Sequence, residues 1–183
     1  MKRGKDKRPR ELPATVTYLG MGAKPKLPPP PAPLFKAALL RCERPPVHFY
    51  RYLYNTIGGP YFWVERRLWS DERLKDYLGQ EKLCVYALYL GGVPGGIAEL
   101  DFREPGLGHL AYFGLMPEFT GRRIGPWFLH QVIDICWSEP IERLIVNTCT
   151  LDHKSALLTY QRAGFVPYAR SERVVLVPPD FES

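Results

Sequence analysis

The stretch GLMPEFTGRRIGPWFLHQVIDICW, from Gly114 to Trp137, places a polar turn between two apolar runs. HLAYFGLM (109–116) predicts a buried strand, and the run that begins at Ile124 predicts a helix over about residues 124–138. The turn between them, TGRRIG (120–125), holds two arginines and two glycines. A helix N-terminus exposes unpaired N–H groups, and glycine lets the backbone approach a ligand closely. The turn therefore predicts a phosphate site, and a glycine-containing loop that only caps a core helix is the competing interpretation.

The elements predicted around this stretch give an α+β order. Strands are predicted over 14–21, 35–43, 83–90, 97–102, 109–116 and 142–150, helices over 47–58, 70–80, 124–138 and 153–163, and a hairpin over 165–178. In the first helix we expect Phe49, Tyr52, Leu53 and Ile57 on one face. Ser70 is a good N-cap for the second.

The composition is that of an ordinary globular domain. The chain has 183 residues, of which 45% are apolar and 24% charged, and this length fits one domain. No apolar run is long enough to span a bilayer, and no secretory signal follows the basic N-terminus. The four cysteines form no C-x-x-C pair, so we expect free thiols and a cytoplasmic location, with no metal and no membrane contact.

The N-terminal segment differs from the rest of the chain. The first ten residues contribute +5 of the net charge of +6, and ten of the 19 prolines precede residue 47. We therefore expect residues 1–34 to be a basic, proline-rich, partly disordered extension and residues 35–183 to be a single domain. A basic tail also permits binding to nucleic acid, but binding is an unlikely function because the remaining chain has little excess charge and no RNA-binding motif.

A second motif follows the turn. His153, Ala156, Tyr160, Gly164 and Phe165 are spaced so that Ala156 and Tyr160 share a helix face and Gly164 ends that helix. Together, the turn and this motif resemble the GNAT superfamily of acyl-CoA-dependent N-acyltransferases. Its signature is a [Gln/Arg]-x-x-Gly-x-[Gly/Ala] turn and, downstream, Asn-x-x-Ala-x-x-x-Tyr-x-x-x-Gly-Phe. The resemblance implies a GNAT-like α/β/α layering with a mixed, mostly antiparallel central sheet.

The sequence departs from this signature at three positions. Thr120 stands in place of Gln or Arg, Arg123 in place of the first glycine, and His153 in place of asparagine. Because Arg123 carries a Cβ atom, we expect its backbone to avoid positive φ. The second half of the motif, from Ala156 to Phe165, is intact.

The resemblance implies an N-acetyltransferase that moves an acetyl group from acetyl-CoA to a primary amine of a small molecule or a protein, with a homodimer as a possible assembly. Tyr160 would be the acid for the thiolate, and Glu99 is ranked first as the base ahead of Asp101 and His109. The implied acetyl-CoA contacts are Leu115, Met116, Thr120, Gly121, Arg122, Arg123, Ile124, Gly125, Pro126 and His153. Asp152 is a further candidate contact with the cofactor.

The aromatic segment 58–69 is expected to form a wall of the acceptor pocket. The nonenzymatic alternative is an acyl-CoA-binding module that uses the same turn without a working acid or base.

Overall fold

The computed structural model describes residues 8–34 and 36–181, which form one mixed sheet with helices on both faces. The strands are β1 (Arg10–Met21), β2 (Ala37–Cys42), β3 (Leu83–Leu90), β4 (Val93–Asp101), β5 (Gly106–Leu115), β6 (Ile141–Cys149) and β7 (Val166–Val177). The helices are α1 (Val47–Gly58), α2 (Asp71–Leu78), α3 (Ile124–Cys136) and α4 (Ala156–Arg162), and 3₁₀ turns cover Gly59–Tyr61, Glu65–Leu68 and Pro117–Phe119.

The seven strands have the order β2-β3-β4-β5-β6-β1-β7. Neighbouring strands are antiparallel except β5 and β6, which are parallel. The parallel pair follows from the crossover through α3, since parallel neighbours need a long connection. The predicted mixed, mostly antiparallel α+β fold is confirmed.

Two apolar cores cover the two faces of the sheet. Ala98 and Leu100 of β4 belong to the core under α3 and α4, whereas Ile97 belongs to the core under α1 and α2. Successive side chains of a strand point to opposite faces, so one strand supplies both cores. The helices are thereby fixed on either side of β4 and β5.

The buried face of α1 differs from the predicted one. Tyr50, Leu53, Tyr54 and Ile57 are buried, whereas Tyr52 is 50% exposed. The observed set has the i, i+3, i+4, i+7 spacing of a helix face and keeps Leu53 and Ile57 of the predicted one. The difference matters because it places Tyr50 and Tyr54, and not Tyr52, against the sheet.

The predicted boundary at residue 34 does not separate the sheet from an extension. Strand β1 starts at Arg10 and lies between β6 and β7, so residues 10–21 are an internal strand of the sheet. Its partners are more than 120 residues away in sequence, which local patterns do not reveal. Residues 22–34 contain no helix or strand and are mostly exposed, and the first seven residues, where most of the basic charge lies, are outside the described residues.

The predicted C-terminal hairpin over 165–178 is wrong. Residues Val166–Val177 form one continuous strand that pairs with β1 along its length, with a register shift opposite Tyr18 and Leu19. The segment contains no glycine and no Asn-Gly or Asp-Gly dipeptide to reverse it, and β1 offers an equally long partner. The other predicted strands and helices are present with ends shifted by a few residues, Ser70 caps α2 by accepting a hydrogen bond from the Arg73 N–H group, and the four cysteines are free.

Candidate active site

The site begins where β5 and β6 separate. Their parallel pairing runs from Gly106↔Ile141 to Leu110↔Val146 and ends there. Beyond that point β5 stays paired with β4, and β6 stays paired with β1. The two strands diverge and open a cleft of about 590 Å³ that exposes one edge of β5.

One end of the cleft is the turn before α3. Gly121 has φ +73° and Arg123 has φ +61°, so both take the left-handed conformation. The expectation that Arg123 avoids positive φ is therefore wrong. Because the left-handed region costs an L-residue roughly 1–2 kcal/mol, the surrounding structure must hold Arg123 in this strained position at the N-cap of α3.

Most residues predicted for this end line the cleft, but two do not. The lining residues are Leu115, Thr120, Gly121, Arg123, Ile124, Gly125 and Pro126. The guanidinium of Arg122 lies 5.9 Å from the ring of Phe119 and does not line the cleft. Met116 is 2% exposed, packs in the core under α1 and α2, and donates its N–H group to the Gly95 carbonyl at 2.9 Å. The backbone N–H group of Met116 is therefore bonded within the sheet and is not available to a ligand.

Tyr160 lies on α4 and lines the cleft. Its ring packs edge-on against Phe113 and Phe165, with ring centres 6.3 and 5.9 Å away. Within residues 8–34 and 36–181 its hydroxyl makes no hydrogen bond. Burial and the negative charge of Asp152 raise the pKa of Tyr160, so the phenol stays protonated and free to donate.

Asp152 and His153 also line the cleft, between β6 and α4. Asp152 Oδ2 accepts hydrogen bonds from Thr148 Oγ1 at 2.8 Å and from the Cys149 N–H group at 2.7 Å. The Nδ1 atom of His153 accepts from the Ser155 N–H group at 3.2 Å. These bonds fix both side chains in the loop that leads into α4.

Glu99 lies behind the cleft wall and is fully buried. Its carboxylate accepts hydrogen bonds from the Tyr50 hydroxyl, from the Tyr77 hydroxyl at 2.7 Å and from Arg66 Nη2 at 2.9 Å. Burial, with the Glu99 charge beside it, raises the pKa of Tyr50 and of Tyr77. The geometry thus disfavours the predicted role of Glu99 as the base, because both oxygens are occupied and no face of the carboxylate meets the cleft.

The other predicted candidates for the base divide between surface and cleft. Asp101 Oδ2 lies 2.5 Å from Arg103 Nη2, and neither residue lines the cleft. His109 lines the cleft, with its Nε2 atom 3.4 Å from Asn147 Oδ1.

The opposite end of the cleft is formed by the segment between α1 and α2, and the expected role of the aromatic stretch 58–69 as a wall of the acceptor pocket stays a prediction. Residues Tyr61–Arg66 line it. Trp63 packs against the end of α1, where a Cβ atom at Gly58 would lie 2.4 Å from the indole. A glycine at this position is therefore required by the close approach of Trp63, in addition to its place at the end of the helix.

Three groups at this end were missed in the sequence. The Tyr112 hydroxyl donates to Glu65 Oε2 at 2.8 Å, and Arg173 Nη1 lies 3.7 Å from Glu65 Oε1. Tyr112 belongs to β5, Glu65 to the 3₁₀ turn Glu65–Leu68 and Arg173 to β7, so no local sequence motif joins them. The acidic residue within the aromatic stretch was the available signal for Glu65.

The described residues contain no group of three or more His, Cys, Asp or Glu side chains placed to hold a metal ion. In the same part of the chain, no helix combines the length and apolarity needed to cross a bilayer.

Comparisons with known proteins identify the family and the fold. The acetyltransferase (GNAT) family model matches residues 50–165. No protein of curated function matches the sequence at a significant level.

Solved structures similar to this chain include a GCN5-related N-acetyltransferase from Sphaerobacter thermophilus (15% identity, TM-score 0.60, 93% of this chain and 54% of that one). Another is an aminoglycoside acetyltransferase from an uncultured soil metagenomic sample, with 14% identity and a TM-score of 0.57 over 70% of this chain and 87% of that one. A third is an IAA acetyltransferase from Bacillus cereus, with 17% identity and a TM-score of 0.53 over 73% of this chain and 79% of that one. These identities support a shared fold only. The chain spans 54% of the length of the Sphaerobacter thermophilus protein and 63% of the length of another similar structure, a protein of unknown function from Staphylococcus epidermidis.

Proposed function

Because this chain belongs to the acetyltransferase (GNAT) family, we propose that it is an N-acetyltransferase that moves an acetyl group from acetyl-CoA to a primary amine of a small molecule or a protein. The observation that carries the proposal is the divergence of β5 and β6. It opens a single cleft that joins a helix N-terminus, a free strand edge and the protonated phenol of Tyr160.

The turn before α3 is the proposed site for the diphosphate of acetyl-CoA. The left-handed residues Gly121 and Arg123 bend the chain around the N-terminus of α3, where unpaired N–H groups and partial positive charge favour an anion. Arg123 lines the cleft beside this turn and adds positive charge. The pantetheine arm would run along the free edge of β5, from about Leu115 towards Ala111, where backbone groups can pair with its amides.

Tyr160 is the proposed acid. The nitrogen of the neutral amine attacks the thioester carbonyl carbon, a C–N bond forms, and the C–S bond breaks. The departing thiolate takes the phenol proton, and the proton lost by the amine restores the phenol through solvent. A thiol pKa near 8.5 lies below that of the phenol, so the transfer needs a phenol held close to the sulfur and shielded from bulk water.

The proposed compartment is the cytoplasm, which suits a protein with four free thiols.

A thiol-release assay tests the proposal. The full chain is incubated with acetyl-CoA and a panel of primary amines, and free thiol is measured as it forms. We expect at least one amine to give turnover that saturates with both substrates and yields an N-acetyl product by mass spectrometry. Saturable binding of acetyl-CoA without any amine-dependent thiol release would instead support a non-catalytic acyl-CoA-binding module.

A further inference from the structure

Glu65 places a negative charge at the end of the cleft that lies away from the α3 turn. Its Oε2 atom is held by the Tyr112 hydroxyl at 2.8 Å, and its side chain is 54% exposed. The residue lines the cleft, so the carboxylate is both oriented and open to a bound molecule.

The nearby cations leave this carboxylate without a tight partner. Arg66 also lines the cleft, but its Nη2 atom is engaged by the buried Glu99 at 2.9 Å. Arg173 reaches only to 3.7 Å from Glu65, and both side chains are about half exposed. An exposed pair at this separation contributes little, so a ligand ammonium can take the place of the guanidinium.

Aromatic residues line the same cleft as Glu65. The indole of Trp63 lies 4.9 Å from the Tyr112 ring, and Tyr61 and Phe62 continue this wall of the cleft. Aromatic faces next to an anionic group are a favourable environment for an ammonium ion and for a flat apolar body attached to it.

We infer that Glu65 binds the ammonium group of the acceptor and that the acceptor is an amine carried on a flat, apolar body. Tyr112 acts as a positioning residue, because its hydroxyl orients the Glu65 carboxylate. Arg173 competes with the ammonium for the same carboxylate. This inference rests on the proposed function for the identity of the acceptor, but the binding it describes needs no acetyl-CoA.

The test measures binding of 2-phenylethylamine and of its neutral analogue 2-phenylethanol to the full chain at neutral pH, by calorimetry and without acetyl-CoA. An alkylamine carries a full positive charge under these conditions. We expect Glu65→Gln to weaken binding of 2-phenylethylamine about tenfold and to leave 2-phenylethanol unchanged. Tyr112→Phe should weaken amine binding about threefold, since the carboxylate stays but loses its orienting bond.

Two further variants distinguish a loss of amine binding from a loss of folding, because neither is expected to weaken binding. Arg173→Gln removes the competing cation and should tighten amine binding by about threefold. Glu142→Gln changes an exposed glutamate that does not line the cleft and should have no effect.

Three results would overturn the inference. They are the absence of saturable 2-phenylethylamine binding to the wild-type chain, equal affinity in the wild type and Glu65→Gln, and an equal loss for both probes. Because no acetyl-CoA is present, a negative result here leaves the acetyl-transfer proposal standing, and a failure to bind acetyl-CoA leaves this one standing.

Discussion

The two ends of the cleft differ in whether backbone groups or side chains form them. The end at the α3 turn consists mainly of backbone: the two left-handed residues Gly121 and Arg123, a helix N-terminus and the free edge of β5. The opposite end consists of side chains, with Glu65, Tyr112 and Arg173 contributed by three separate elements. A ligand shared by a family can be bound by backbone geometry that tolerates substitution, whereas an acceptor specific to one protein must be distinguished by side chains.

Tyr160 is the proposed acid, and its replacement should have the largest effect. Tyr160→Phe removes the proton donor and should lower kcat by about 10²–10⁴-fold, while affinity for CoA stays within about twofold, because the ring remains in its packing place. Steady-state kinetics and calorimetry measure the two quantities.

The exposed Tyr52 supplies the matched control, since Tyr52→Phe should change neither quantity. A Tyr160→Phe protein that keeps more than about a third of the wild-type kcat would remove Tyr160 from the chemistry.

Glu99 tests whether the buried cluster that it forms with Tyr50, Arg66 and Tyr77 is structural. Glu99→Gln leaves the guanidinium of Arg66 buried without its anion, and this should lower the free energy of unfolding by about 3–5 kcal/mol. Urea titration measures the loss, with Glu142→Gln expected to stay within about 0.5 kcal/mol of wild type. An unchanged unfolding free energy together with a loss of kcat of about 100-fold would restore Glu99 as the base.

Tyr54, whose hydroxyl accepts a hydrogen bond from the Arg66 N–H group at 3.3 Å, tests the surroundings of the same cluster through pH. Burial raises the pKa of Tyr54 from 10 to about 12. The unfolded chain therefore loses this proton at a lower pH than the folded chain, so the stabilisation is complete below about pH 10 and falls as the pH rises through 12. Between about pH 8 and 11, the wild type should lose about 1.3 kcal/mol more than Tyr54→Phe in urea titrations. Parallel loss in the two proteins would show that Tyr54 ionises at its ordinary pKa.

Arg123 tests the backbone end with the smallest expected change. Arg123→Gly removes a Cβ atom from a left-handed position and should raise the free energy of unfolding by about 1 kcal/mol. Arg122→Gly makes the same change of charge at a residue without positive φ and should not stabilise the protein. If backbone groups supply most of the binding at this end, the affinity of the Arg123→Gly protein for CoA should fall by no more than about tenfold, which is the loss expected for one charge-assisted contact. Destabilisation by Arg123→Gly would mean that the arginine side chain contributes more than its strain costs.

The sequence predicted the parts of the molecule whose determinants lie close together in the chain. The strand, turn and helix over 109–136 and the intact motif from Ala156 to Phe165 each occupy a short span, and the structure forms the corresponding elements. The place of β1 was missed because its partners β6 and β7 lie far along the sequence. The hairpin prediction for 165–178 failed for the same reason, since a long partner strand could not be foreseen.

The sequence predicted those parts of the cleft lining that belong to short motifs, such as the turn before α3 and Tyr160, but not the side-chain pairs that join distant elements. Glu99 carries the right functional group on the right strand, but its burial depends on Tyr50, Arg66 and Tyr77, which arrive from α1 and α2 and the segment between them. Likewise, Glu65 becomes part of the cleft only when β5 brings Tyr112 to it. Side-chain partners across elements decide which carboxylate faces the ligand, and they cannot be deduced from spacing.

Calorimetric titration of the full chain with CoA and with pantetheine tests the central claim most directly. Pantetheine keeps the thiol arm but lacks the diphosphate proposed to bind at the α3 turn. We predict saturable CoA binding, and pantetheine binding that is weaker by about tenfold or more, since charge-assisted bonds at a helix N-terminus are lost. No heat of binding with CoA at millimolar concentration, or equal affinities for the two molecules, would contradict the account.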